Sequence, residues 1–150
     1  MAKNILIVFS SFDGHTINIC EHILKKLQTN HYPKLMHLKD AKKTDLEEAE
    51  KIIVGASIRY GDHHKDLYSF IEKYKDIIEV KENAFFSVNA VARKPEKNKP
   101  ETNPYIKKFL RRTSWKPKVL GVFAGKIDYP KYNFFDKQMI RLIMWITKGP

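Results

Sequence analysis

At 150 residues the chain has the length of one domain, enough to bury about two thirds of the surface its unfolded form exposes. Its 43% apolar and 30% charged content is ordinary for a folded protein, but 28 Lys and Arg against 17 Asp and Glu leave a net charge of +11 and a pI of about 9.6. Such a field suits an anionic partner (nucleic acid, acidic lipid or a polycarboxylate ligand) or simply a well-solvated surface. The single cysteine, Cys20, excludes an intramolecular disulfide and a thiolate cluster for zinc or iron–sulfur, and fits a reducing compartment. The five apolar residues after Asn4 are too few for a signal peptide, and no stretch reaches the roughly 18 apolar residues of a spanning helix. The expectation is a cytoplasmic protein whose membrane contact is peripheral.

Ile5-Leu6-Ile7-Val8-Phe9 is a continuous apolar run, the pattern of a strand covered on both faces. Cys20, Ile23, Leu24 and Leu27 follow at helical spacing, and Leu35 to Leu38 reads as a short second strand. Asp40 to Glu50 is highly charged and predicts a short helix or a connecting loop. Ile52 to Ala56 is a third buried strand, and Leu67, Phe70, Ile71, Tyr74 and Ile78 repeat at helical spacing. Ala84 to Val88 and Val119 to Ala124 are the fourth and fifth strands. Between them a Lys- and Pro-rich loop leads to a helix capped by Asn103, with Pro104 in its first turn and Tyr105, Ile106, Phe109 and Leu110 on its apolar side.

Strands alternating with helices require a mainly parallel sheet with right-handed crossovers. Five strands suit a single α/β domain over residues 1–150, doubly wound in the flavodoxin-like order 2-1-3-4-5. Nothing after the fifth strand resembles an ordinary closing helix. Either the chain is a truncated form, the preferred expectation, or residues 126–150, an aromatic and basic amphipathic insertion segment, cover the bare face.

Ser10-Ser11-Phe12-Asp13-Gly14-His15-Thr16 lies between the first strand and its helix, at the carboxyl edge where doubly wound sheets bind ligands. Hydroxyls, a glycine that admits close backbone approach and a helix N-terminus could hold a phosphate without Lys or Arg. The motif is neither a P-loop nor a dinucleotide fingerprint, and helix capping alone also accounts for it. Asp13 and His15 are too close within a tight turn to favour a catalytic dyad. Ser57-Ile58-Arg59-Tyr60-Gly61 follows strand three and Asn89-Ala90-Val91-Ala92-Arg93-Lys94-Pro95 follows strand four, so all three loops open at one edge. A flavin needs this arrangement: phosphate at the first loop, ring between the second and third, with Tyr60 stacking and Asn89 at the polar edge. Ordinary loop anchoring is the competing role for Tyr60 and Asn89.

These segments, from Phe9 to Thr16, Ile53 to Gly61 and Phe86 to Lys97, resemble the quinone-dependent protoporphyrinogen oxidases. The likeness continues through Trp115-Lys116-Pro117, Ala124-Gly125, Tyr129 to Tyr132 and Met139 to Met144, and so covers nearly the whole chain. It implies a flavodoxin-like fold and bound FMN. It further implies oxidation of protoporphyrinogen IX to protoporphyrin IX with a membrane quinone, menaquinone or ubiquinone, as acceptor. The inner face of the cell membrane is the place it implies, with a homo-oligomer left open. The cofactor residues carried over are Ser10, Ser11, Asp13, Gly14, His15, Thr16, Ser57, Ile58, Arg59, Tyr60, Gly61, Asn89, Ala90, Val91 and Ala92. The departure is at the C-terminus, where such proteins continue into another helix.

A porphyrinogen carries propionates on a broad apolar ring, and Arg59, Arg93, Lys94, Lys97 and Lys99 could attract them; a solvated loop is the bland alternative. Tyr132, Phe135, Met139, Leu142, Ile143 and Ile146 share one helical side, with Arg141 and Lys148 on the other. That pattern predicts either a helix lying in a bilayer interface or one packed on the uncovered sheet face. His15, His63 and His64 could titrate near neutrality, but nothing in the sequence places them by the substrate, and the adjacent His63 and His64 have no carboxylate or Cys partner at metal-ligand spacing. The rival classes are a flavodoxin-type electron carrier, which is usually acidic, and a nucleic-acid module. The latter is disfavoured because the aromatics fall on core periods.

Overall fold

The computed structural model describes residues 2–10, 15–59, 61–89, 95–97, 99–123 and 141–145. Along the chain run β1 (Asn4–Ser10), α1 (His15–Leu27), β2 (Tyr32–His37), α2 (Lys43–Glu48), β3 (Lys51–Arg59) and β4 (Asp62–His63). There follow α3 (Lys65–Glu79), β5 (Glu82–Val88), a 3-10 turn (Pro95–Lys97), α4 (Pro104–Arg112) and β6 (Val119–Phe123). The main sheet is parallel in the order β2-β1-β3-β5-β6, which is the predicted 2-1-3-4-5 of the five long strands. The extra strand is β4, which pairs antiparallel with the end of β3.

Strand alternation sorts the core into two layers. Leu6 and Val8 of β1, Ile52 and Val54 of β3 and Phe85 of β5 face α2, α3 and α4, with Trp115 buried among them. Ile5, Ile7 and Phe9, Ile53, Ala84, Phe86 and Val88 face α1, through Ile19, Cys20, Ile23 and Leu27. Each large aliphatic or Phe side chain among these contributes about 1.5–3 kcal/mol when fully buried, which is why central strands need not alternate with polar residues. The predicted inward set on α3, from Leu67 to Ile78, is buried throughout. On α4, Ile106 and Phe109 are inward as expected, whereas Leu110 faces outward.

Caps set the helix ends. The Asn103 carboxamide oxygen accepts from the backbone N–H of Tyr105 and Ile106 ahead of Pro104. Asp45 accepts from the Lys42 N–H at 2.9 Å, half of a capping box, and turns the charged connection into α2. His64 Nδ1 accepts from the Asp66 N–H at 2.9 Å and opens α3.

Residues 141–145 are helical and lie on the α1 side of the sheet. Leu142 is buried with Ile19 and Ile23, and Ile143 and Trp145 pack against the same layer, while Arg141 faces solvent. Of the two placements open for the amphipathic segment, this part of it takes the sheet face, so the face expected to be bare is covered here. Lys51, buried at the start of β3, donates to the Trp145 carbonyl at 3.1 Å and lies 5.0 Å from the Trp145 ring centroid. A cation there suits both the backbone carbonyl and the indole face of Trp145. Burial, then the nearby Lys3 charge, depresses the Lys51 pKa. The rest of 126–150 lies outside the described residues.

Candidate functional site

The sheet brings the ends of its three central strands level. Ser10 of β1 pairs with Ala56 of β3, and Ala56 pairs with Ser87 of β5. Ser10, Ser57 and Ser87 are all buried at this carboxyl edge, where the order reverses between β1 and β3. Beyond β1, α1 begins at His15 and places Thr16 in its first turn. Thr16 is fully buried, and its hydroxyl finds no hydrogen-bond partner among the described residues. A buried hydroxyl without a partner costs about 1–3 kcal/mol, and a helix N-terminus beside it presents free N–H groups. Together they fit a bound phosphate oxygen.

The second loop, expected from sequence as a plain connection, is the turn of a β-hairpin. Ile58 pairs with His63 and Arg59 with Asp62, leaving two residues at the turn, of which Gly61 has φ +80°. That left-handed conformation is available to glycine at little cost. Helix α4 holds the hairpin from outside. Lys108 Nζ donates to the Gly61 carbonyl at 3.0 Å, Arg112 pairs with Asp62, and the Arg112 guanidinium sits 4.1 Å from the Tyr68 ring centroid. Burial pushes the Asp62 carboxyl up, but Arg112, the His63 N–H and Lys108 outweigh it and hold its pKa below the ordinary value.

The third loop leaves β5 through Asn89, and here the geometry gives the anchoring role rather than a free polar tip. The Asn89 N–H donates to the Phe123 carbonyl at 3.0 Å. Its side chain is buried, giving Nδ2–H to Ser87 Oγ at 3.1 Å and Asn103 Oδ1 at 3.2 Å and accepting from Asn103 Nδ2 at 2.9 Å. Asn103 Nδ2 also donates to the Lys97 carbonyl at 2.9 Å, tying the 3-10 turn to α4. Lys97 is half-buried and Lys99 exposed.

His63 is a correction. It does not titrate near neutrality: it is buried edge-on against Phe85 and Phe109, with Nε2 2.8 Å from Ser87 Oγ, and burial lowers its pKa to about 4. His64 is the α3 cap, 3.4 Å from Asp66 Oδ2. Ser87 and His63 carried no signal in sequence as site residues, because their partners lie far along the chain.

Ser11, Asp13, Gly14, Tyr60, Ala90, Val91, Ala92, Arg93 and Lys94 lie outside the described residues, and the proposed Asp13–His15 pairing with them. For His15 and Arg59 only the backbone is described: His15 opens α1, and Arg59 ends β3 beside Asp62. Among the described residues no group of three or more His, Cys, Asp or Glu is placed to hold a metal ion. A groove of about 540 Å³ lies at the opposite, N-terminal edge of the sheet, by Asn4, His31, Tyr32, Lys34 and Glu48, away from these loops.

The family model described as a flavodoxin domain matches residues 6–150. The protoporphyrinogen IX dehydrogenase (quinone) of Leishmania major is 40% identical over 146 residues, covering 96% of this chain and 63% of the relative. The protein of that name from Escherichia coli strain K12 is 37% identical over 145 residues, covering 96% and 80%. This chain belongs to the flavodoxin-domain family of protoporphyrinogen IX dehydrogenases. It spans less than two thirds of the length of the Leishmania relative. Solved flavodoxins share the family's fold at low identity. That of Megasphaera elsdenii has a TM-score of 0.67 at 12% identity, covering 97% of this chain and 99% of that one. The Fusobacterium nucleatum flavodoxin bound to flavin mononucleotide has 0.63 at 15% identity, covering 97% and 98%.

Proposed function

We propose that this chain is an FMN-dependent oxidoreductase that oxidises protoporphyrinogen IX to protoporphyrin IX and delivers the electrons to a membrane quinone. The observation that carries the cofactor is the buried Thr16 hydroxyl in the first turn of α1, without a partner among the described residues, together with buried Ser10 and Ser57 at the carboxyl ends of the strands beside the switch point. Substrate and acceptor are supported by the names of the relatives and by 37–40% identity over 96% of the chain. The FMN supplies acceptance of an electron pair and its onward transfer.

The chain's own part is binding and orientation. In this reading Ser10, Thr16 and the N–H groups of the first turn of α1 hold the phosphate, with Ser11, Asp13, Gly14 and His15 completing the cradle. The Gly61 turn, with Ser57, Ile58, Arg59 and Tyr60, borders one side of the ring and residues Asn89 to Ala92 the other. Arg59, Arg93, Lys94 and Lys97 draw the propionates of the substrate toward that edge. Precise placement of the two ring systems contributes more than any proton-transferring side chain. The +11 charge and a lipid-dissolved acceptor support peripheral contact with an anionic membrane surface in this reading.

The test is porphyrin fluorescence. Protein loaded with FMN and given a quinone should convert protoporphyrinogen above the air-oxidation control. No acceleration with a perturbed flavin spectrum would leave an electron carrier; an unperturbed spectrum at saturating FMN would remove the flavin reading.

A further inference from the structure

The polar side chains behind the second and third loops form one continuous buried chain. His63 Nε2 meets Ser87 Oγ, Ser87 Oγ accepts from Asn89, and Asn89 and Asn103 exchange two hydrogen bonds. Asn103 goes on to the Lys97 carbonyl and to the first N–H groups of α4. None of the four side-chain carriers is more than 4% exposed. From outside, Lys108 and Arg112 of the same helix fasten Gly61 and Asp62. One helix therefore grips the β3–β4 turn at its C-terminal half and the β5 exit at its cap, while His63 and Ser87 join the two beneath.

We propose that this chain, with α4 as its rigid bar, sets the separation of the described ends of the second and third loops, and that His63, Ser87, Asn89 and Asn103 are positioning residues whose side chains need not touch the flavin ring. The inference rests on the FMN reading above. Apolar side chains would fill the same space, but they tolerate sliding. Buried hydrogen-bonding groups do not: moving one loop relative to the other leaves donors and acceptors unpaired, at about 1–3 kcal/mol for each. The loops therefore share one preferred spacing, and cutting the chain at its middle should loosen both together.

The experiment uses the full chain with two variants. Ser87→Ala removes the central hydroxyl. Asn103→Asp keeps the oxygen that caps α4 but removes the donor to Asn89 and Lys97. Asn83→Ala is the control: that buried amide bonds the Ile78 and Lys81 carbonyls and the Lys118 N–H at the far end of the sheet. In apo-protein, Ser87→Ala should speed amide hydrogen exchange in peptides 57–63 and 97–106 alike, and Asn83→Ala in neither. With FMN, each of the first two should raise the dissociation constant about tenfold and shift the flavin absorption and midpoint potential, whereas Asn83→Ala lowers only the melting temperature. Exchange confined to one loop, or FMN affinity, spectrum and potential unchanged from wild type, would overturn the inference. So would an affinity loss no larger than that of Asn83→Ala. Failure of the wild-type protein to perturb the FMN spectrum would instead remove the flavin reading, and this inference with it.

Discussion

Gly55 and Phe86 face each other across β3 and β5, and the Phe86 ring occupies the space a side chain at Gly55 would need: a Cβ there would stand 2.1 Å from the ring. Phe86 is fully buried and meets Phe123 edge-on, so it has nowhere to retreat. The glycine in the third strand's apolar run is thus a seat for an aromatic ring on its neighbour.

Gly55→Ala should therefore destabilise the fold by about 1–3 kcal/mol, the usual cost of overpacking, or more if the strands must part. Urea denaturation measures it. Adding Phe86→Leu should recover part of the loss, because the two positions share one volume; a stability equal to wild type in the single variant would contradict this packing.

Thr16→Val removes a hydroxyl that is buried without a partner among the described residues. The apo-protein should be as stable as wild type or more so, since the desolvated group is gone. FMN affinity should nonetheless fall about tenfold, the loss of one hydrogen bond to an anion. Parallel melting and flavin-quenching titrations separate the two effects.

Acid should weaken the protein through His63. Its folded pKa, about 4, lies below the ordinary imidazole value of 6.5, so the unfolded chain binds the proton first. Stability is complete above pH 6.5 and is lost as pH falls toward 4, by about 3 kcal/mol from this residue. Burial also lowers the pKa of His22, His31 and His37, which add in the same direction. Urea midpoints between pH 7 and pH 4 should fall less steeply in His63→Gln than in wild type.

Cys20 is fully buried on α1, and burial, then the charge of Glu21, pushes its thiol far above the ordinary range. A thiol-reactive disulfide reagent should leave the native protein unlabelled at neutral pH and react promptly in denaturant. Fast labelling of the folded form would show that α1 opens readily.

Strands covered on both faces announced themselves as apolar runs, and Ile52 to Ala56 sits within the observed β3 for that reason. Edge positions did not. Tyr32-Pro33-Lys34 begins β2, which among the described residues pairs with β1 alone, so its exposed side chains and its proline met no core requirement that a pattern could register. The two-residue β4 is too short for any periodicity; its one signal is Gly61 at a turn. The edge of the sheet that carries the candidate site followed from topology alone. The bonds behind it did not, because Asn89 and Asn103 are 14 positions apart and His63 and Ser87 are 24. Asn103 was readable as a cap, but a cap's second donor has no sequence signature.

Lys51 ties two events into one. Its ammonium sits inside the protein against the carbonyl and indole of Trp145. Peeling residues 141–145 from the sheet would expose Leu142 to water and oblige that ammonium to recover its hydration in the same step. The segment should then leave or dock as a cooperative unit, like a latch with no half-closed position.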